Sequence, residues 1–242
     1  MLRSAFALAA TAAAYVAAAQ PSTKQPVGGP SSTFAIMPCV CIGNDWHPRI
    51  LELWSQVQGR IKLNTGQMMT LVNCGGTAPG HGGTSSQDHF SNYTEWLRQG
   101  GRGIDTALTY TDPLNAKINA AMKWAAGPGG VPRSEIFLTT KVPCCPGTGF
   151  CKQPEYSGTI AADMAKNNEL LGTQYTDLTL LHHPCDTVAH TIERYVELQE
   201  AMAAGHTKAI GVSNFNAELL AQLLADKRVK TVPAVSHSML TM

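Results

Sequence analysis

Asp105, Tyr110, Lys141, His182 and Asn214 each lie at the end of a short apolar run. The runs read Gly103-Ile-Asp105-Thr-Ala-Leu-Thr-Tyr110, Phe137-Leu-Thr-Thr-Lys141, Leu180-Leu-His182-His183-Pro184 and Ile210-Gly-Val-Ser213-Asn214-Phe215. A carboxylate, a phenol, an ammonium, an imidazole and an amide are groups that move protons or hold charge. Each alone could be a strand-end cap or a buried hydrogen bond. Arriving in phase after successive apolar runs, they are harder to read as scaffold. His182, His183, Cys185 and His190 also raise the question of a metal. Their spacing is irregular and neighbouring strand positions face opposite ways, so we expect no metal site.

The elements that must carry these residues follow an alternating rhythm from Ile61 onward. Strand-like runs fall at Thr70–Cys74, Gly103–Leu108, Ile136–Lys141, Asp177–Leu181, Thr207–Val212 and Pro233–Val235. Helix-like stretches lie between them, around Phe90–Arg98, Leu114–Ala125, Gly158–Leu171, Thr187–Ala204 and Ala217–Asp226. Leu219, Leu220, Leu223 and Leu224 recur at helical spacing, and Gly205 stands where a helix C-terminus is expected. Ile61–Thr70, with Asn64-Thr65-Gly66 between apolar flanks, predicts a small hairpin ahead of the first unit.

Strands alternating with helices of this length predict βαβ units and a parallel sheet, either doubly wound or closed as a (β/α)₈ barrel. No G-x-G-x-x-G follows the first strand. Gly75-Gly76-Thr77 and Gly82-Gly83 sit in a long loop before any helix, which weakens a dinucleotide-binding reading of the doubly wound type. In a barrel the strand carboxyl ends share one mouth, which would gather the five polar residues.

Composition narrows the function classes. The formal charge is +1 and no basic run occurs, which argues against a nucleic-acid binder. Hydrophobic residues make up 44% of the 242, enough for a sizeable core. Residues 1–20, a short basic start and an alanine-rich apolar run ending in Ala17-x-Ala19, are expected to be a secretory signal peptide. Because no acidic residue precedes Asp45, a plastid or mitochondrial transit peptide is the alternative, and an uncleaved cytosolic start a third. The run is too short and too alanine-rich for a membrane span. Residues 21–60 read as a linker or extension, and 61–242 as the folded domain. Among seven cysteines, Cys39-x-Cys41 and the Cys144, Cys145 and Cys151 group are candidates for pairing if the chain is exported.

The stretches Gly103–Tyr110, Val131–Val142, Asp177–Pro184 and Gly205–Phe215 resemble the aldo-keto reductases, and so does Lys62-Leu-Asn-Thr-Gly66. The resemblance implies a (β/α)₈ barrel that binds NADPH in extended form. It carries a catalytic tetrad onto Asp105, Tyr110, Lys141 and His182, and cofactor contacts onto Gly76, Thr77, Asp105, Ser213, Asn214 and His237. Tyr110 would then protonate the oxygen of an aldehyde or ketone while the nicotinamide delivers hydride to its carbon. A phenol has a pKa near 10, and a nearby ammonium lowers it toward the working range. Asp105 would keep Lys141 charged and in place, and His182 would bond the oxygen on which charge develops.

Some positions depart from the family pattern. His183 stands where Trp is common, His237 where Gln is usual, Asp112-Pro113 in place of an Asn-Glu pair, and Ala78 in place of an aromatic residue. Only six strand–helix repeats are legible, and a barrel takes about 250 residues, more than remain after Ile61. We therefore expect a reductase barrel cut short of its last two units, with weak preference for NADPH over NADH. Rival expectations are a non-catalytic partial barrel and a metal-dependent hydrolase of the same architecture.

Overall fold

The computed structural model describes residues 59–76, 93–110, 112–144 and 158–238. The leader at 1–20, Thr77, Ala78 and the Gly82-Gly83 pair lie outside them, as does the 21–60 extension except for its last two residues. Arg60 already belongs to the first strand, one residue earlier than expected. Strands β1 (Arg60–Lys62) and β2 (Met68–Thr70) form an antiparallel hairpin with Ile61 opposite Met69. Asn64-Thr65-Gly66 turns it as predicted: the Leu63 N–H donates to Gln67 O at 2.8 Å and the Gly66 N–H to Leu63 O at 2.9 Å. Gly66 has φ +90°, a conformation that costs a residue with a Cβ.

Six parallel strands follow in chain order: β3 (Cys74–Gly75), β4 (Gly103–Asp105), β5 (Phe137–Val142), β6 (Leu178–Leu181), β7 (Ile210–Ser213) and β8 (Ser236–His237). Every adjacent pair is parallel. Helices α1 (Tyr93–Arg98), α2 (Asp112–Ala125), α3 (Ile160–Leu171), α4 (Val188–Ala203) and α5 (Ala217–Ala225) link them. A doubly wound sheet reverses its strand order at a switch point. This one never reverses, so it is the progression of an α/β barrel, with six of its strands present among the described residues.

The strand expected at Gly103–Leu108 stops three residues early, at Asp105, and the one expected from Thr207 starts at Ile210; the first and last strands are displaced outright. Thr70 lies in the hairpin, and a tight corner follows in which Thr70 Oγ1 donates to Asn73 Oδ1 at 2.7 Å, so the first barrel strand begins at Cys74. The last strand is Ser236–His237, not Pro233–Val235. Pro233 has no N–H to give, and the ladder begins only where the Ala234 N–H donates to Ile210 O at 2.7 Å.

The helices start where side-chain caps are available. Thr159, Thr187 and Asn216 accept from the N–H groups of Ala162, His190 and Leu219. Strand side chains alternate between two faces. Ile104 and Leu138 point outward against Tyr93, Trp96, Leu97 and Ile118 of α1 and α2. Leu181, Ile210 and Val212 point outward against Met164, Tyr195, Leu198 and Leu223 of α3 to α5. Each such buried side chain contributes roughly 1.5–3 kcal/mol. On the inner face, Phe137, Leu178, Leu180 and Val235 pack with Leu63 and Met69 of the hairpin. The hairpin thus fills the amino-terminal end of the inner face. Toward the carboxyl ends the same face turns polar.

Candidate active site

Strand register sets that polar layer. Asp105 pairs with Thr139 across β4 and β5, Lys141 pairs with Leu180 across β5 and β6, and Ser213 pairs with His237 across β7 and β8. Lys141 follows Thr139 by two residues, so both face inward with Asp105. The Lys141 side chain is 2% exposed; its Nζ donates to the Asp105 carboxylate and, at 3.0 Å, to Thr106 O. The same ammonium stands 5.3 Å from the centroid of the Tyr110 ring.

Tyr110 reaches this position on a turn that leaves β4. The Leu108 N–H donates to Lys141 O at 2.9 Å, the Tyr110 N–H to Ala107 O at 3.0 Å, and Asn115 Nδ2 to Tyr110 O at 3.3 Å. His182 meets Tyr110 edge-on, with ring centroids 5.8 Å apart and planes at 72°. His182 Nδ1 lies 3.3 Å from Thr109 Oγ1. Its N–H donates to Val142 O, and its carbonyl accepts from Asn214 Nδ2 at 2.8 Å. Four predicted residues, Asp105, Tyr110, Lys141 and His182, therefore converge. Thr109 was not anticipated: a threonine before the tyrosine gives no signal until the β6 loop is brought beside it. His183 stacks on His182 with centroids 5.7 Å apart, which places it at the rim of the same cluster.

Asn214 adopts φ +61°, rare for a residue with a Cβ. The conformation lets its N–H donate to His237 O at 2.8 Å while Nδ2 serves both His182 O and Ser213 Oγ. It ties β6, β7 and β8 together at their carboxyl ends. Gly76 lies just past β3, its N–H donating to Asp105 O at 3.0 Å. A Cβ there would come within 2.3 Å of Leu114, so packing alone explains the glycine.

The electrostatics follow from burial and these partners. Burial pulls the Lys141 pKa down, but the Asp105 carboxylate and Tyr110 outweigh it, and the net value lies above the usual 10.5. Lys141 is a locked cation at neutral pH. Burial lowers the His237 pKa below 6.5; Asp105 opposes that shift and Lys141 adds to it. Burial likewise lowers the His183 pKa, partly offset by its bond to the Pro184 carbonyl. Both rings are neutral at pH 7.

The four residues weighed as a metal cluster separate. His182 and His183 belong to the Tyr110 side, while Cys185 and His190 gather with Cys144. Cys144 is disulfide-bonded to Cys185, so it does not pair with Cys145 or Cys151 as the sequence had suggested.

A parallel sheet in chain order, with a buried Lys–Asp pair, a tyrosine and a histidine at its carboxyl ends, defines a barrel protein with a polar strand-end site. Residues 72–241 match the model of the aldo/keto reductase family. The chain belongs to that family. It is 35% identical over 154 residues to an aldo-keto reductase of Mycolicibacterium paratuberculosis, covering 63% of this chain and 48% of that one. It is 34% identical over 144 residues to an uncharacterized oxidoreductase of Saccharomyces cerevisiae, covering 59% of this chain and 48% of that protein. The chain thus spans about half the length of the curated relatives it matches. Among solved structures, it resembles an aldo/keto reductase from Brucella melitensis (TM-score 0.58, 28% identity, 75% of this chain and 62% of that one). It also resembles the Bombyx mori aldo-keto reductase in complex with NADP (TM-score 0.59, 25% identity, 76% and 59%).

Proposed function

We propose that this site reduces an aldehyde or ketone to an alcohol, with NADPH as the hydride source and Tyr110 as the proton donor. The observation that carries the reading is the buried Lys141 ammonium, held between the Asp105 carboxylate and the Tyr110 ring. A fixed cation at the ring favours the phenolate left after proton transfer. His182, its Nδ1 held near Thr109 Oγ1, orients the carbonyl oxygen. Asp105 keeps the cation charged in a place where an unpaired ammonium would be costly.

The residues fit a nicotinamide. Asp105 Oδ2 and His237 Nδ1 are buried without a hydrogen-bond partner among the described residues. His237, with the hydroxyl of Ser213 and the amide of Asn214, would hold the carboxamide. When bound, the cofactor supplies the hydride. The Bombyx mori structure in complex with NADP supports the choice of cofactor.

The test is to incubate the purified chain with NADPH and a panel of aldehydes and ketones, and to follow loss of the reduced nicotinamide and appearance of alcohol. The expected result is turnover that Tyr110→Phe removes. Cofactor binding with no turnover on any carbonyl would make the site a binding site only, and no cofactor binding would refute the reading altogether.

A further inference from the structure

Away from Tyr110, the exits of β5 and β6 are joined a second time. Cys144 and Cys185 form a disulfide across 41 residues of chain, with their Cα atoms 5.3 Å apart. Cys144 comes three residues after Lys141, and Cys185 three residues after His182. The bridge therefore spans the two segments that leave the site. Its halves differ: Cys144 is fully buried, whereas Cys185 is partly exposed. Cys185 also precedes α4, and its N–H donates to Thr191 Oγ1 in the first turn at 3.0 Å. A ring nitrogen of His190, in that same turn, lies within 4.8 Å of both sulfurs. Its Nδ1 is 2.7 Å from Asp186 Oδ1.

We propose that Cys144–Cys185 is a thiol–disulfide exchange site, opened by a dithiol reductant, with His190 as proton donor to the sulfur that leaves. The reductant's thiolate attacks the accessible Cys185 Sγ, forming a mixed disulfide and breaking the Cys144–Cys185 bond. The electron pair of that bond goes to Cys144 Sγ. A thiolate in an apolar, buried position is costly, and the His190 imidazolium neutralises it by giving up a proton. The reductant's second thiol then attacks its own sulfur in the mixed disulfide and releases Cys185. The product thiolate sits at the α4 N-terminus, where the helix dipole favours negative charge. Protein disulfide plus dithiol gives protein dithiol plus cyclic disulfide, so two electrons and two protons balance. Asp186 positions the ring; the hydrogen bond to His190 holds the Asp186 carboxyl below its usual range, outweighing desolvation, which pushes the other way. Opening the bridge removes the covalent tie between the β5 exit and the 182–187 segment, which carries His182 and His183, and leaves the bond from the His182 N–H to Val142 O.

The experiment treats the folded full chain with dithiothreitol in the absence of denaturant and follows alkylation of Cys185 by peptide mass spectrometry. Hydrogen exchange over residues 182–191 is compared before and after. We expect native-state reduction and faster exchange in that segment. His190→Ala should slow reduction at least about tenfold, a fraction of the 10²–10⁴ that a placed proton donor can supply. Free imidazole should restore the rate, which it would not do if His190 only supported the fold. A bridge that reduces only after global unfolding would overturn the proposal. So would unbonded cysteines holding zinc in the purified protein, since the group would then be a metal site. Neither readout depends on carbonyl turnover.

Discussion

Lys141 and Asp105 are partners without being directly opposite in the ladder. Thr139 is the residue paired with Asp105, and Lys141 lies two positions further along β5 on the same face. The long lysine chain crosses that offset diagonally and meets both the carboxylate and the carbonyl of Thr106. The offset leaves the ammonium on the carboxyl-terminal side of Asp105, beside Tyr110.

The pair is expected to act as a unit. Lys141→Met leaves Asp105 buried without its cation, and Asp105→Asn leaves Lys141 without its counter-charge. Removing one partner of a buried ion pair costs about 3–5 kcal/mol. The double variant should lose clearly less than the sum of the two singles. Urea unfolding of the four proteins measures this, and additive losses would mean the two side chains do not couple.

The pH dependence has two windows. Lys141 titrates above 10.5 in the folded chain, so its stabilisation is complete below 10.5 and is lost as pH rises through the folded value. His183 and His237 titrate below 6.5 when folded, so the unfolded chain takes up their protons first and stability falls as pH drops below 6.5. Thermal unfolding across the range should show both declines. His237→Gln should flatten the acid side and Lys141→Met the alkaline side; unchanged profiles would remove these groups as the cause.

Tyr110→Phe keeps the ring near Lys141 but removes the transferable proton. Turnover should fall roughly 10²–10⁴-fold, with cofactor affinity nearly unchanged. Single-turnover kinetics and a nicotinamide fluorescence titration separate the two effects. Equal turnover by both proteins would exclude the phenol as the acid.

Asn214 supplies both a left-handed backbone and two side-chain bonds. Asn214→Gly relieves the backbone cost but deletes the bonds, whereas Asn214→Ala loses the bonds and keeps the strain. The alanine variant should be the less stable by about 1 kcal/mol. Both should weaken cofactor binding, because His182 and Ser213 lose a shared side-chain tie. If cofactor affinity is the same as in the unmodified chain, Asn214 serves only the fold.

Much of this molecule was legible in one dimension. The helices from α2 to α5 fall within a few residues of their expected limits because apolar periodicity, capping threonines and Asn216 are local features. The polar residues at strand ends were legible for the same reason: alternation assigns a side chain to a face wherever the strand is paired. What local pattern does not carry is how far segments distant in sequence approach one another. The Cys144–Cys185 bond, the meeting of Thr109 with His182, and the shift of the first and last strands by a few residues all come from that approach. Gly211 shows the same limit. Its sequence neighbours give no reason for a glycine, yet a Cβ there would stand 2.4 Å from Val235 O, just ahead of β8. Sheet register and helix packing, which depend on all the strands at once, decided those contacts.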